Sequence, residues 1–313
     1  MFGVRGLLGG AVLLGLAAAA TPSAADPFLI EPEPPAFTSS FAMRYWYGMG
    51  DASKDLYGFT RDTLNSRLTY DGLQSHSLEG FVRVDHSSGV FWKGYAGGGL
   101  LTKDNLQDED FPPGITPYSS TNSTLQNQSI GYISVDLGGA LVRGADFRID
   151  AFVGYHYFHE RMKAFGCQQT ATNPVICAGG IPDSVAAIVE DDTWQAVRLG
   201  LNADIPIVDR WRLNLDAAWL PYTWLSGTDN HLLRPDLPSP IREDGHGWGY
   251  QLEALLSYQI NSSFSLGVGG RYWRMQSQGS AHFEDIGGSP QPLDFKTNIY
   301  GVFVQGSYHF GPL

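Results

Sequence analysis

The sequence predicts an antiparallel β-barrel of the bacterial outer membrane. Three observations predict it: an export signal at the N-terminus, period-two alternation with aromatic ends in several segments, and connections that alternate between tight turns and long polar stretches. The signal comes first in the chain. Arg5 supplies a positive start, Gly6 to Ala20 is a run of small and apolar residues, and Ser23-Ala24-Ala25 offers the small residues a signal peptidase reads. Cleavage after Ala25 is therefore expected. Residues 26–37, rich in Pro and Glu, read as a periplasmic lead-in, and 38–313 as the barrel.

Composition agrees with strands. Glycine accounts for 38 of 313 residues and aromatics for 13%, against a glycine norm of roughly 7%. No apolar run after the signal reaches the ~18 residues a membrane helix needs. The net charge of -12 argues against a nucleic-acid partner and favours cationic ones.

The alternation is clearest in four segments. From Trp248 to Ile260 the even positions are Trp248, Tyr250, Leu252, Ala254, Leu256, Tyr258 and Ile260, while Gln251, Glu253, Ser257 and Gln259 face the other way. Tyr300, Val302, Val304, Tyr308 and Phe310 oppose Gln305, Ser307 and His309. Phe147, Ile149, Ala151, Val153, Tyr155 and Tyr157 oppose Arg148, Asp150 and His156. Trp211, Leu213, Leu215, Ala217 and Trp219 oppose Arg212, Asn214 and Asp216. A strand sends alternate side chains to opposite faces. An apolar face bounded by aromatics suits lipid with two interfacial girdles, and a charged face suits a packed lumen. A soluble β-sandwich also alternates, but it does not require aromatics at the strand ends.

The connections set the topology. Tight turns fall at His86-Ser87-Ser88-Gly89, Gly144-Ala145-Asp146, Asp209-Arg210 and Asn261-Ser262-Ser263. Long polar stretches occupy 51–62, 104–124, 168–192, 230–246 and 284–297. Short turns inside and long loops outside is the outer-membrane pattern, and the count gives about ten strands with both ends periplasmic. At about twenty residues each, against the ~9–11 needed to span, the strands should project beyond the membrane. Side chains can fill a barrel of that size, so function is expected at the extracellular rim.

Two carboxylate motifs lie at expected extracellular strand ends. One is Asp108-Glu109-Asp110-Phe111, the other Asp229-Asn230-His231. In extended chain, Asp-x-His puts both side chains on one face. An aspartate beside an imidazole orients it and raises its pKa, so that it takes a proton from water. Each motif alone is ordinary loop composition, and a Ca²⁺ site at Asp104, Asp108, Glu109 and Asp110 is a further alternative. Unbroken alternation from Trp211 would put Asp229 and His231 on the lipid face, and either a bulge near Pro221 or flaring of the barrel above the membrane would correct this. His156 and Glu160 share one face and His159 the other, which argues against a metal site there. Cys167 and Cys177 are expected to pair, closing a short loop in an exported chain. No motif calls for a cofactor.

With those residues in place, the chain resembles the omptin family of outer-membrane endopeptidases. Ser66-Arg67-Leu68-Thr69-Tyr70 resembles the family's second-strand segment, and Gly97-Gly98-Gly99 its approach to the first aspartate pair. Asp108-x-Asp110-Phe111 resembles its Asp-x-Asp-aromatic motif, and Asp229-x-His231 its dyad. The resemblance implies a ten-stranded barrel in which Asp229 and His231 activate a water. Asp108 and Asp110 position that water, which attacks a peptide bond, typically beside Arg or Lys. It implies lipopolysaccharide on the outer wall as a requirement for activity, with Tyr155 and His159 at the binding positions. Lys54-Asp55 resembles the place of an acid that receives basic side chains, which assigns substrate binding to Asp55. An alignment without an insertion puts Thr102 and Asp104 on the first pair instead. A second family acid, two residues before Asp229, is Gly227 here.

The expected function is thus an omptin-like endopeptidase acting as a monomer on extracellular peptides or proteins, cationic ones among them. Two rivals stay open: a catalytically silent barrel serving as adhesin or scaffold, and a small channel. The inward charges Arg148, Asp150, Arg212 and Asp216 argue for a plugged lumen.

Overall fold

The computed structural model describes residues 35–111, 116–126, 128–144, 147–237 and 240–310, without the side chains of Lys103 and Asp104. The expected signal peptide and most of the lead-in lie outside them. The described residues form one antiparallel barrel. Its strands are β1 (Phe37–Tyr57), β2 (Leu64–His86), β3 (Val90–Asp110), β4 (Ser119–Leu125), β5 (Gln128–Arg143), β6 (Arg148–Gln169), β7 (Ile181–Val208), β8 (Trp211–His231), β9 (Ile241–Gln259), β10 (Phe264–His282) and β11 (Gln291–Phe310). β4 and β5 both lie between β3 and β6, as two halves of one interrupted strand. The barrel is therefore ten-stranded, as the connections predict. β1 pairs with β11 from Ser39↔Phe310 to Leu56↔Leu293, so no edge is left open.

The long polar stretches are shorter loops than expected. The strands run into each of them, leaving connections at 58–63, 111–118, 170–180, 232–240 and 283–290. Both carboxylate motifs consequently sit within the last residues of strands β3 and β8, not beyond them. A strand ladder holds side-chain positions more tightly than a loop does.

Outward-facing Met43, Leu78, Leu137, Val153, Leu201, Leu252 and Val302 are exposed around the wall. An apolar band this continuous is stable only against lipid. Trp92, Trp211, Tyr258 and Tyr308 edge it on the tight-turn side, and Tyr155, Trp219, Tyr222, Trp248 and Tyr300 on the other. Asp229 lies ten residues past Trp219. At ~3.3 Å per residue, this end of the barrel stands clear of the membrane.

The lumen is filled. Arg44 and Arg271 both pair with Glu79 and Glu253, at 2.6–3.1 Å. Arg198 meets Asp136 at 3.0 Å and Asp216 at 3.2 Å, and Lys93 pairs with Asp216. A buried charge is tolerated only when it is paired. Above these pairs, Trp46, Trp273, Tyr132, Phe158, Trp194 and Phe295 join one buried apolar cluster. The charged inner faces thus form a plug.

Two irregularities change the parity of the strands. In β8, Leu220 pairs with Gly249 and Thr223 with Gly247, so Pro221 and Tyr222 together oppose Trp248. Even residues Ala218 and Leu220 are buried below this bulge, odd residues Thr223, Leu225 and Asp229 above it. Proline lacks the N–H a continuous ladder needs, which suits a bulge. In β2 the extra residue is Gly72, at φ +78°, a conformation that glycine adopts without strain. Opposite it, Thr102 is the extra residue of β3. Phe91, Lys93 and Leu101 point in below, Leu106 above.

Cys167 and Cys177 are joined by a disulfide, with Cα atoms 5.8 Å apart. It ties the end of β6 to the turn before β7.

The β8 bulge fixes an expected labelling pattern. A cysteine replacing Ser226 should react with a bulky water-soluble maleimide, and one replacing Leu225 should not. The opposite pattern would mean that alternation runs unbroken from Trp211 and that the dyad faces outward.

Candidate active site

The bulge in β8 turns the strand's last inward positions to Asp229 and His231. His231 Nε2 donates to Asp229 Oδ2 at 2.8 Å. This contact fixes the ring and leaves Nδ1 as its other nitrogen. Across the barrel, the shift at Thr102 turns Asp108 and Asp110 inward from the end of β3. All four side chains line one cavity of about 340 Å³, together with Ser66, Arg234, Lys54 and Glu243. One wall is apolar, formed by Leu56, Ile241, Ala281, Phe283 and Leu293.

The electrostatics couple the two walls. Burial lowers the His231 pKa, but the charge and hydrogen bond of Asp229, with Asp108 beyond, outweigh it and lift the value to about 9. Burial pushes Asp108 up to about 7, opposed by His231 and reinforced by Asp110 and Asp229. Burial also raises Asp110, against Arg234 and His231. The Oδ1 atoms of Asp108 and Asp229 are buried and have no hydrogen-bond partner among the described residues. Two acceptors thus remain unused, one on each wall.

Beneath the dyad lies a second tier. Lys54 on β1 is 2% exposed and bonds to Glu190, Asp192 and Glu243, the Asp192 contact being 3.1 Å. Glu190 is the cross-strand partner of Asp229. Burial disfavours the charge on Lys54, but Asp192, Glu190 and Glu243 override it and hold the ammonium firmly protonated. Burial and Asp229 push Glu190 well up despite Lys54. Burial brings Glu243 to about 7 in spite of Lys54. The oxygens of Glu190, Asp192 and Glu243 lie within 4.8 Å of one another, as cation ligands would, and the Lys54 ammonium is bonded to all three residues.

The other expected site residues lie elsewhere. Asp55 does not line the cavity. It lies on the opposite face of β1 from Lys54, buried under Arg67, whose Nε donates to its carboxylate at 2.5 Å. Thr102 is exposed, with its hydroxyl on the Gln74 carbonyl at 3.4 Å, so it is no inward pair residue. The side chain of Asp104, the alternative first acid, is outside the described residues. Tyr155 and His159 face outward on β6. The Tyr155 hydroxyl meets Gln195, and His159 Nδ1 meets Thr193 at 3.3 Å and Asp191 at 3.7 Å. His156 is fully buried on the inner face against Ser134, 2.7 Å away.

Sequence reasoning missed Glu190, Asp192 and Glu243 because it read their stretches as loops. The signal was available: Glu190 and Asp192 continue the even positions of Trp194, Ala196 and Arg198, and Glu243 the odd positions of Gln251 and Glu253.

No family model and no curated protein matches the chain by sequence. Solved structures do match it by shape. The outer membrane protease OmpT from Escherichia coli superposes with a TM-score of 0.72, over 89% of this chain and 99% of that one, at 13% identity. This is the OmpT fold. At that identity the likeness speaks for the fold and not for the chemistry. The translocator domain of the autotransporter NalP from Neisseria meningitidis (TM-score 0.40, 8% identity, 90% of each chain) and OprG from Pseudomonas aeruginosa (0.33, 11%, 87% and 96%) are more distant barrels. Neither carries weight here. Within the OmpT-like frame, the motifs of both walls occupy the ends of strands β3 and β8.

The raised His231 value has a measurable consequence. Its protonated ring stabilises the fold fully below the ordinary 6.5, and that contribution is lost as pH rises through about 9. An NMR titration of the ring should therefore show a midpoint near 9, falling in Asp229→Asn. A midpoint near the ordinary value would mean that the Asp229 contact does not form.

Proposed function

We propose that the protein is an endopeptidase of the outer membrane whose catalytic end faces the cell exterior. The observation that carries this reading is the hydrogen-bonded Asp229–His231 pair opposite Asp108 and Asp110 in one cavity. The unused Asp108 and Asp229 oxygens can hold a water between the walls. Neutral His231 takes a proton from that water at Nδ1 while its oxygen attacks the peptide carbonyl carbon. Asp229 orients the ring and stabilises the imidazolium. The tetrahedral intermediate then collapses, and His231 returns the proton to the leaving amine. No bond to the enzyme forms at any step.

Two further features support the reading. The long-loop end would be extracellular in the usual outer-membrane arrangement, which gives the cavity access to external peptides. The outward faces of Tyr155 and His159, near the upper aromatic edge, suit a lipopolysaccharide headgroup, so we assign lipopolysaccharide contact there. A channel fits less well, because Trp46, Trp273 and Trp194 are packed across the lumen.

Cleavage of a random peptide library by refolded protein, with and without lipopolysaccharide, tests the activity. His231→Ala should lower kcat by at least ~100-fold, the low end for losing a positioned general base. Asp229→Asn should also be severe. Asp108→Ala and Asp110→Ala should each cripple turnover while Thr102→Ala does not. Because only neutral His231 accepts the proton, kcat/KM should climb from pH 7 toward its value of about 9. Unchanged turnover in His231→Ala would remove the dyad from the mechanism and make the silent barrel the better reading.

A further inference from the structure

Glu190, Asp192 and Glu243 form a buried acidic tier beneath the dyad, a set of oxygens that suits a cation. It already holds a cation of its own. Lys54 reaches in from β1 and bonds to Glu190, Asp192 and Glu243, and all four residues are at least 95% buried. Lys54 and Glu243 line the same cavity as His231.

The glycine in β8 shows how the tier is built. A Cβ at Gly227 would stand 1.9 Å from Asp192 Oδ1. The space that an acid at position 227 would use is thus filled by the Asp192 carboxylate from neighbouring β7, and that carboxylate is turned to Lys54. Position 227 therefore cannot supply an acid to an incoming residue without displacing Asp192.

We propose that Lys54 is a built-in cation that closes this acidic tier, so that the subsite beside the dyad receives an uncharged, apolar substrate side chain in place of Lys or Arg. This rests on the endopeptidase reading and names the substrate class of the same site. An entering ammonium or guanidinium would lose its water and meet carboxylates already committed to Lys54. It would also approach Lys54 itself, a like charge at close range. An apolar side chain meets no such cost. It buries surface against Leu56, Ile241, Ala281, Phe283 and Leu293, worth about 25 cal/mol per Å² removed from water.

The experiment compares matched peptides with Leu or Arg flanking the scissile bond, for wild-type and Lys54→Ala proteins that show the fast unboiled gel migration of a folded barrel. Wild-type should favour the Leu peptide in kcat/KM by at least about 100-fold, the scale of burying an uncompensated charge. Lys54→Ala exposes three acids without a cation and should reverse the preference. Equal cleavage of both peptides by wild-type, or a ratio unmoved in Lys54→Ala, overturns the inference and leaves the endopeptidase intact.

A binding measurement separates the two claims. By calorimetry, agmatine, a free guanidinium probe, should bind Lys54→Ala at least about tenfold tighter than wild-type, the gain expected when a buried charge finds open partners. Equal affinities overturn the inference whether or not any peptide is cut. Absence of all cleavage alongside tighter agmatine binding sinks the endopeptidase reading and keeps Lys54 as the occupant of the acidic tier. If Lys54→Ala does not fold, Lys54→Ala with Glu243→Gln removes one acid and carries the same comparison.

Discussion

A strand's side chains alternate with a period of two, so one extra residue sends everything beyond it to the opposite face. The candidate site depends on two such changes. Pro221-Tyr222 in β8 brings Asp229 and His231 inside. Gly72 in β2, with Thr102 in β3, brings Asp108 and Asp110 inside from the facing wall. Without them, the same strands would put all four polar side chains on the outer surface. Bulges cluster near functional sites because they re-aim side chains without altering the barrel below. Here they lie just above the lipid-facing segments, where the alternation demanded by the membrane no longer applies.

This division explains how much was legible. Within the membrane the environment imposes a strict pattern, and the faces of Trp211–Trp219, Trp248–Ile260 and Tyr300–Phe310 can be read directly. Above it, both faces are wet or partly packed, and the pattern blurs. The stretches 168–192 and 230–246 therefore read as loops, although Glu190, Asp192 and Glu243 sit on regular strands. The dyad was visible as a motif, and its direction hung on Pro221. Asp55 went the other way. A motif position alone pointed to it, while the parity of Trp46, Ala52 and Lys54 gives the inward role to the lysine.

The plugged lumen gives the rim its floor. Paired charges such as Arg271 with Glu79 and Glu253 span the barrel from different strands, each inside hydrogen-bonding distance. Removing one partner from such a pair leaves an uncompensated buried charge, which costs far more than the pair contributes. The strands are therefore locked in relative position below the cavity. A site assembled from strands β3 and β8, on opposite walls, needs that rigidity to keep its two halves at a fixed separation.

The protonation of the cavity follows from how few cations it holds. Asp108, Asp110 and Asp229 share the upper tier with His231 and Arg234, and Glu190, Asp192 and Glu243 share the lower with Lys54. Carboxylates outnumber cations in both, so protons make up part of the difference. Glu190, pushed well up, holds one of them, and Asp108 and Glu243, both shifted to about 7, share the others near neutrality. His231, lifted to about 9, keeps its proton longer than a solvated imidazole because Asp229 stands beside it. The contact that orients the base thus also holds it in its protonated form at neutral pH. In the proposed endopeptidase, the dyad must balance orientation against availability. The nearby acids set that balance: a proton on Asp108 removes one negative charge from the cavity and makes His231 easier to deprotonate.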